Sequence, residues 1–279
     1  RLAEGEVLMI QEIQVRRDRI DEARLVAREP EPLRDGEVRV AVRDFALTAN
    51  NVSYAASGEM IGYWRFFPAA DDGETWGVVP VWGYGEIIES RHPGFAAGEG
   101  FWGFLPMSEE VIFAPSGRKS SSFIDAAAHR QDLPALYNQY LFTGVDRDPL
   151  QALADERSLL LPLFFTSYVL ADYLQDNGFF GARQAVLSSA SSKTAFGLAK
   201  LLADLPGKPV EVVGLTSPDN IGFTKALGYY DRVLGYGEIA SLDPARPAVF
   251  VDMAGSAKTL NAIHHLFEDA LKASIRVGA

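Results

Sequence analysis

The alternation that begins at residue 184 constrains the fold most. Strand-like "QAVLSS" leads into helical "KTAFGLAKLLADL", then strand "VEVVGLT", helix "PDNIGFTKALG" and the short strand "DRVLGY". "AVFVDMAG", "AKTLNAIHHLFEDAL" and "KASIRVGA" repeat the order as strand, helix and strand. Strands separated by helices of this length predict a parallel sheet with right-handed crossovers, a doubly wound α/β fold. In the first of these helices Phe196, Ala199, Leu202 and Ala203 share one side, widened by Leu198, Leu201 and Leu205. That stripe packs on the sheet. Upstream, "DPLQALADERSLLLPLFFTSYVLADYLQDNG" reads as largely helical and stops at Asn177-Gly178.

Before residue 150 the period is two. "EVRVAVRDF" puts Val38, Val40 and Val42 on one face and mostly charges on the other, the mark of a half-buried strand. "VIFAP" and "YGEIIES" read alike, and turn formers such as "HPGF" and "PSGR" separate them. A β-rich barrel or sandwich is expected here, so the chain divides into domains at 1–150 and 151–279.

Composition narrows the function. A net charge of −11 argues against a nucleic-acid partner, which needs a basic face. The longest apolar run, Leu159 to Phe165, is too short to span a bilayer and contains Pro162. The opening "RLAEGEV" lacks a basic segment followed by an apolar stretch, so no secretory signal is expected and the cytoplasm is the default location. With no cysteine and only four histidines, none at a ligand-like spacing, no metal site is expected.

The stretch "VLSSASSKTAFGLAK" (186–200) has the layout of a phosphate cradle without its glycines. Three readings compete. As a nucleoside-triphosphate loop, Lys193 and Thr194 match, but Leu187 and Ser192 stand where glycines belong. As a dinucleotide fingerprint, the three small positions fall on Ala190, Ser192 and Ala195. The helix start then offers amide N–H groups and a positive dipole end, Ser191, Ser192 and Thr194 add hydroxyls, and Lys193 adds a charge. The third reading is an ordinary strand-to-helix turn capped by Ser191 or Ser192. Where the fingerprint places a ribose-binding acid, "GLTSPDN" supplies Thr216, Ser217 and Asn220. Hydroxyls there tolerate a 2′-phosphate and favour NADP over NAD, although Ser217 and Pro218 also suit a plain helix start.

Taken in order, these segments resemble the medium-chain dehydrogenase/reductase superfamily, in its zinc-free quinone-reductase-like and enoyl-reductase-like branch, and more narrowly a bacterial family related to that branch. The resemblance rests on "LTANNVSYAASG" (47–58), "VPVWGYGEIIES" (79–90), "FAAGEGFWGF" (95–104), "LFFTSYVLADYL" (163–174), "LGYYDRVLGY" (227–236) and "VFVDMAGS" (249–256). It implies an N-terminal GroES-like β-barrel, a C-terminal Rossmann sheet and an active site between the two. It further implies NADP(H) as cofactor, with hydride passing to a small carbonyl, enone or quinone. "WGYGE" lacks the zinc-binding histidine of metal-dependent members. The family continues beyond the strand at which "SIRVGA" stops, which together with Arg1 implies a truncated sequence.

Within the resemblance, Tyr54 is the expected proton donor, Asn50 orients substrate or water, and Thr166 matches a threonine contacting the nicotinamide end. Tyr236 joins Ala190, Ser191, Ser192, Lys193, Thr194, Thr216, Ser217 and Asn220 as an expected cofactor contact. Each also fits a plainer role: Tyr54 as a core residue, Asn50 in a turn, Thr166 as a hydroxyl inside a helix. The aromatic run Tyr63, Trp64, Phe66, Phe67, Trp76, Trp82 and Tyr84 fits a pocket wall or a barrel core. The expected partner is a small-molecule substrate, with a homodimer admitted. Two further readings stay open: an NADP-binding sensor or inactive relative, and a P-loop-like nucleotide hydrolase.

Overall fold

The computed structural model describes residues 9–144 and 150–277. "RLAEGEV", the Asp148-Pro149 start of the long expected helix, and Gly278-Ala279 of the last strand lie outside the described residues. The chain forms two compact units divided between Leu159 and Leu160.

Among the described residues, the first unit is built from ten strands. These are β1 (Ile10–Arg16), β2 (Arg19–Arg28), β3 (Val38–Ala46), β4 (Trp76–Gly77), β5 (Pro80–Ser90), β6 (Gly100–Pro106), β7 (Glu110–Phe113), β8 (Pro115–Ser116), β9 (Ser122–Asp125) and β10 (Gln139–Phe142). Seven make an antiparallel, barrel-like sheet in the order β7-β3-β5-β6-β10-β9-β8, and β2-β1-β4 make a smaller one. Short helices α1 (Ala49–Ala56) and α2 (Gly58–Ile61) follow β3. A capping box starts α1: the Asn50 N–H donates to Thr48 Oγ1, and the Thr48 N–H donates to Asn51 Oδ1. Val38 and Val40 are fully buried, as their alternation requires, but the alternation breaks at a bulge after Val42, which is only partly buried while Ala41 is buried. Phe66, Phe101, Phe104, Phe113, Phe123 and Tyr140 fill the interior.

Helix α3 (Ala154–Asp176) runs across the division between the units and carries Pro162 in its interior. The second unit then follows the expected alternation: β11 (Gln184–Leu187), α4 (Lys193–Ala203), β12 (Glu211–Thr216), α5 (Ile221–Ala226), β13 (Arg232–Gly235), β14 (Ala248–Asp252), α6 (Ala257–Phe267) and β15 (Leu271–Arg276). The strands are parallel in the order β13-β12-β11-β14-β15, a Rossmann sheet. Its faces are dry on both sides. Ala185 and Leu187 pack with Leu170, Leu174, Leu198 and Leu202 of α3 and α4, whereas Val186 packs with Ile263 and Phe267 of α6.

The late helix ends four residues before its sequence limit. Glu268 takes φ 43°, which halts α6, and pairing with Ala248 draws Leu271 into β15. Strand pairing overrides the helical preference of "FEDAL". Among the described residues, no helix is long and apolar enough to cross a membrane.

Candidate functional site

The loop between β11 and α4 is the centre of the second unit's candidate site. β11 is the sheet's central strand, with β12 on one side and β14 on the other. The crevice between the carboxyl ends of β11 and β14 is where such sheets bind ligands. The loop takes an unexpected course. The left-handed residue is Ser189, at φ 50°, and none of Ala190, Ser192 or Ala195 is left-handed. A serine in that conformation costs roughly 1–2 kcal/mol. The bonds around it hold it there. The Ser189 N–H donates to Tyr236 Oη at 2.9 Å, the Ala190 N–H to the Leu215 carbonyl at 3.0 Å, and the Ser192 N–H to the Ser189 carbonyl at 2.8 Å.

Close approach is supplied from outside the loop. A Cβ at Gly214 of β12 would lie 2.8 Å from Ala190 Cβ, and one at Gly197 of α4 would lie 2.7 Å from Ser167 Oγ. The glycines missing from the loop have their steric role filled by glycines in its neighbours. Ser167 Oγ in turn donates to the Thr194 carbonyl at 2.8 Å and ties α3 to the first turn of α4.

Ser192 caps α4, its Oγ accepting the Ala195 N–H at 3.3 Å. Among the described residues, the amides of Ser191, Lys193 and Thr194 donate to nothing in the chain. Three amides at the start of a helix whose first residue is Lys193 form an anion cradle. At the end of β12, Thr216 is buried, its Oγ1 lying 3.5 Å from Ser191 Oγ, and Asn220 Nδ2 donates to Ser217 Oγ at 3.0 Å. Asp219 is the exposed carboxylate of that turn. Burial raises the Tyr236 phenol above its ordinary value, so it stays protonated while accepting from Ser189. These residues fit a dinucleotide pyrophosphate.

A second feature of this crevice carried no sequence signal beyond an acid at a strand end. Ser188 is fully buried and donates to Asp252 Oδ1 at 2.7 Å, while its Oγ accepts the N–H groups of Met253 and Ala254. The buried Asp252 Oδ2 has no partner among the described residues.

In the first unit, Tyr54 sits on the buried face of α1, 6% exposed. Its oxygen accepts the Trp82 indole N–H at 3.0 Å. An indole nitrogen only donates, so the phenolic hydrogen of Tyr54 is left for another acceptor. Burial raises the Tyr54 pKa first, the neighbouring Tyr137 adds to it, and hydrogen bonds from Trp82 and Asn50 oppose it. The net shift is strongly upward, so the group is an acid and not a phenolate. Asn50, half-buried, thus lies beside Tyr54. Tyr63 and Tyr137 share a hydrogen bond of 2.8 Å, and the Tyr54 and Tyr63 rings lie 4.5 Å apart. Tyr63, Trp64, Phe66, Phe67 and Trp82 are buried as barrel core, whereas Trp76 is partly exposed under Arg24. Thr166 is partly exposed on α3.

The comparisons agree on fold. The structure of CurA in complex with NADPH from Vibrio vulnificus is 13% identical, covers 95% of this chain and 72% of its own, and gives a TM-score of 0.60. A quinone oxidoreductase from Pseudomonas syringae pv. Tomato DC3000 is 14% identical, with 97% and 81% covered and a TM-score of 0.57. A mutant form of enoyl thioester reductase from Candida tropicalis is 11% identical, with 97% and 75% covered and a TM-score of 0.56. The likeness is one of fold, a GroES-like barrel and a Rossmann sheet in one chain. No curated protein matches the sequence. Residues 45–279 match the family described as "Protein of unknown function (DUF2855)".

Proposed function

The chain belongs to the DUF2855 family, and we propose that it is an NADP(H)-dependent oxidoreductase that reduces a small carbonyl, enone or quinone without zinc. The cradle at the start of α4 carries the reading: three amides without partners among the described residues and a helix dipole meet at the sheet's switch point, where Lys193 opens the helix. The fold shared with the NADPH-bound CurA structure supports it. So does the want of any cysteine with which to build a thiolate zinc site.

The cofactor, when bound, supplies a hydride. The chain's own residues do the rest. Ser191, Lys193 and Thr194 hold the pyrophosphate, and Ala190 and Ser192 keep the turn narrow. Thr216, Ser217 and Asn220 receive the 2′-phosphate, Tyr236 braces the loop, and Thr166 contacts the nicotinamide end. Tyr54 holds the proton that the reduced substrate takes up, and Trp82 and Asn50 fix its hydroxyl. The reading takes a small molecule as substrate and the cytoplasm as the location, with a homodimer admitted.

Titration of the chain with NADPH, followed by cofactor fluorescence, tests the proposal. Saturable binding is expected, tighter than for NADH despite Asp219, and Lys193→Ala weakens it severalfold. An unchanged dissociation constant in that variant sinks the cradle assignment. Binding of labelled ATP in place of NADPH shifts the reading to a nucleotide hydrolase. NADPH binding with no turnover across quinones, enones and aldehydes shifts it to a sensor.

A further inference from the structure

Two side chains near the cradle keep hydrogen-bonding capacity that the chain does not use. β11 and β14 lie side by side, and the residues of each alternate between the sheet's faces. Ala185, Leu187, Val249 and Val251 pack toward α3 and α4, whereas Val186 and Phe250 pack with Ile263 and Phe267 of α6. By the same alternation Ser188 and Asp252 stand on the α6 face, where the two strands end. The Ser188 N–H still donates to the Val251 carbonyl at 3.1 Å, so the ladder holds the pair in register. Asp252 is 1% exposed. Its Oδ1 accepts Ser188 Oγ at 2.7 Å and the Ala254 N–H at 3.1 Å. Its Oδ2 is equally buried and accepts nothing among the described residues.

Tyr236 supplies the complement on that face, packed against the same apolar cluster. Its oxygen accepts the Ser189 N–H, and its hydroxyl hydrogen goes to no acceptor among the described residues. Burial chiefly raises the Tyr236 pKa and the charge of Asp252 adds to the rise, so the two groups share a neighbourhood. No hydrogen bond joins them among the described residues. A bare carboxylate oxygen and a spare phenolic hydrogen are both met by one group, a hydroxyl, which donates to the first and accepts from the second.

The course of the cofactor says which hydroxyl. With the pyrophosphate on the first turn of α4 and the 2′-phosphate beside Thr216 at the end of β12, the other half of the molecule runs the opposite way from β11. It then passes over the end of β14. Resting on the NADP(H) reading, we propose that Asp252 Oδ2 accepts a hydroxyl of the ribose that carries nicotinamide, and that Tyr236 Oη donates to the same hydroxyl. Ser188 is a positioning residue. It holds the carboxylate through Oδ1 and, by accepting the N–H groups of Met253 and Ala254, fixes the chain that follows β14.

Isothermal titration of the 279-residue chain tests this with three probes. They are NADPH, 2′,5′-ADP, which lacks the nicotinamide riboside, and NADPH analogues deoxygenated at the 2′ or the 3′ carbon of the nicotinamide ribose. One of the two analogues is expected to bind the parent about tenfold more weakly than NADPH. Asp252→Asn, which keeps an oxygen for Ser188, weakens NADPH about tenfold, leaves 2′,5′-ADP unchanged and no longer distinguishes that analogue from NADPH. Ser188→Ala shows the same split between NADPH and 2′,5′-ADP with a smaller loss. The analogue comparison on the parent needs no variant, so it carries the test if the variants fail to fold. Equal affinity of the parent for NADPH and both analogues overturns the ribose contact and leaves the cradle standing. So does an Asp252→Asn variant that binds NADPH as the parent does, or one that weakens NADPH and 2′,5′-ADP alike. A parent that binds neither NADPH nor 2′,5′-ADP overturns the cofactor reading itself, and this inference with it.

Discussion

Asp125→Asn probes the barrel's most exposed energetic weakness. Arg130 and Asp125 form an ion pair whose side chains are each 1% exposed. The asparagine oxygen can still accept the Ala114 and Ala127 amides, so the substitution removes charge and little else. It turns an amide N–H₂ toward a guanidinium that has no other ion pair among the described residues. Leaving one partner of a buried pair uncompensated costs about 3–5 kcal/mol. Phe66, Phe67, Phe113 and Tyr140 surround the guanidinium carbon at 4.8–5.8 Å, but they do so in parent and variant alike and soften neither value. Guanidinium chloride unfolding read by tryptophan fluorescence suits the question, because Trp64, Trp76, Trp82 and Trp102 are the chain's four tryptophans and all precede Leu159. The signal reports the first unit alone. At a slope of roughly 4 kcal/mol per molar, the midpoint falls by about 1 M. Adding Arg130→Met to Asp125→Asn removes the stranded charge and recovers much of the loss. A single-variant cost below about 1 kcal/mol, or a double variant worse than both singles summed, refutes the reasoning.

Tyr54→Phe is expected to lower turnover by about two to four orders of magnitude with the NADPH dissociation constant unchanged, in a steady-state and binding comparison. Trp82→Phe, which removes one donor to the Tyr54 oxygen, lowers turnover severalfold, and equal rates for parent and variant dismiss that role. Gly214→Ala forces a Cβ to within 2.8–2.9 Å of Ala190 and Tyr230, so it destabilises the second unit by about 1–3 kcal/mol in circular-dichroism melts and weakens NADPH binding. Burial raises the pKa values of Tyr54, Tyr63, Tyr140, Tyr230 and Tyr236. The unfolded chain therefore loses these protons first. Their contribution is full below about pH 10 and declines as pH rises beyond it, by up to about 1.4 kcal/mol per pH unit for each group. Absorbance at 295 nm should show the phenolates of the buried Tyr54, Tyr63 and Tyr140 appearing only with unfolding, and their titration in a native chain contradicts the burial.

The order of strands and helices in the second unit was written in the sequence, because periodicity and capping act within a few residues of each other. β11, α4 and β12 appear where "QAVLSS", "KTAFGLAKLLADL" and "VEVVGLT" place them. The two-residue period of Val38 and Val40 likewise declared a buried strand face. What the sequence could not declare were pairings across distance. Nothing in "ASSKTA" says that Ser189 takes the left-handed position, because Tyr236, 47 residues on, supplies the bond that steadies it. Nothing marks Gly214 as the glycine the loop lacks, since that role exists only once β12 lies against Ala190. The stretch from Pro134 to Tyr140 shows the same limit. Tyr137, Asn138 and Tyr140 acquire purpose only around Arg130, whose own burial depends on Asp125 and three surrounding phenylalanines. Local free energies of a few tenths of a kcal/mol per residue choose helix or strand. Which buried donor meets which acceptor is decided only when the chain has closed, since an unmet group then costs more than any local preference.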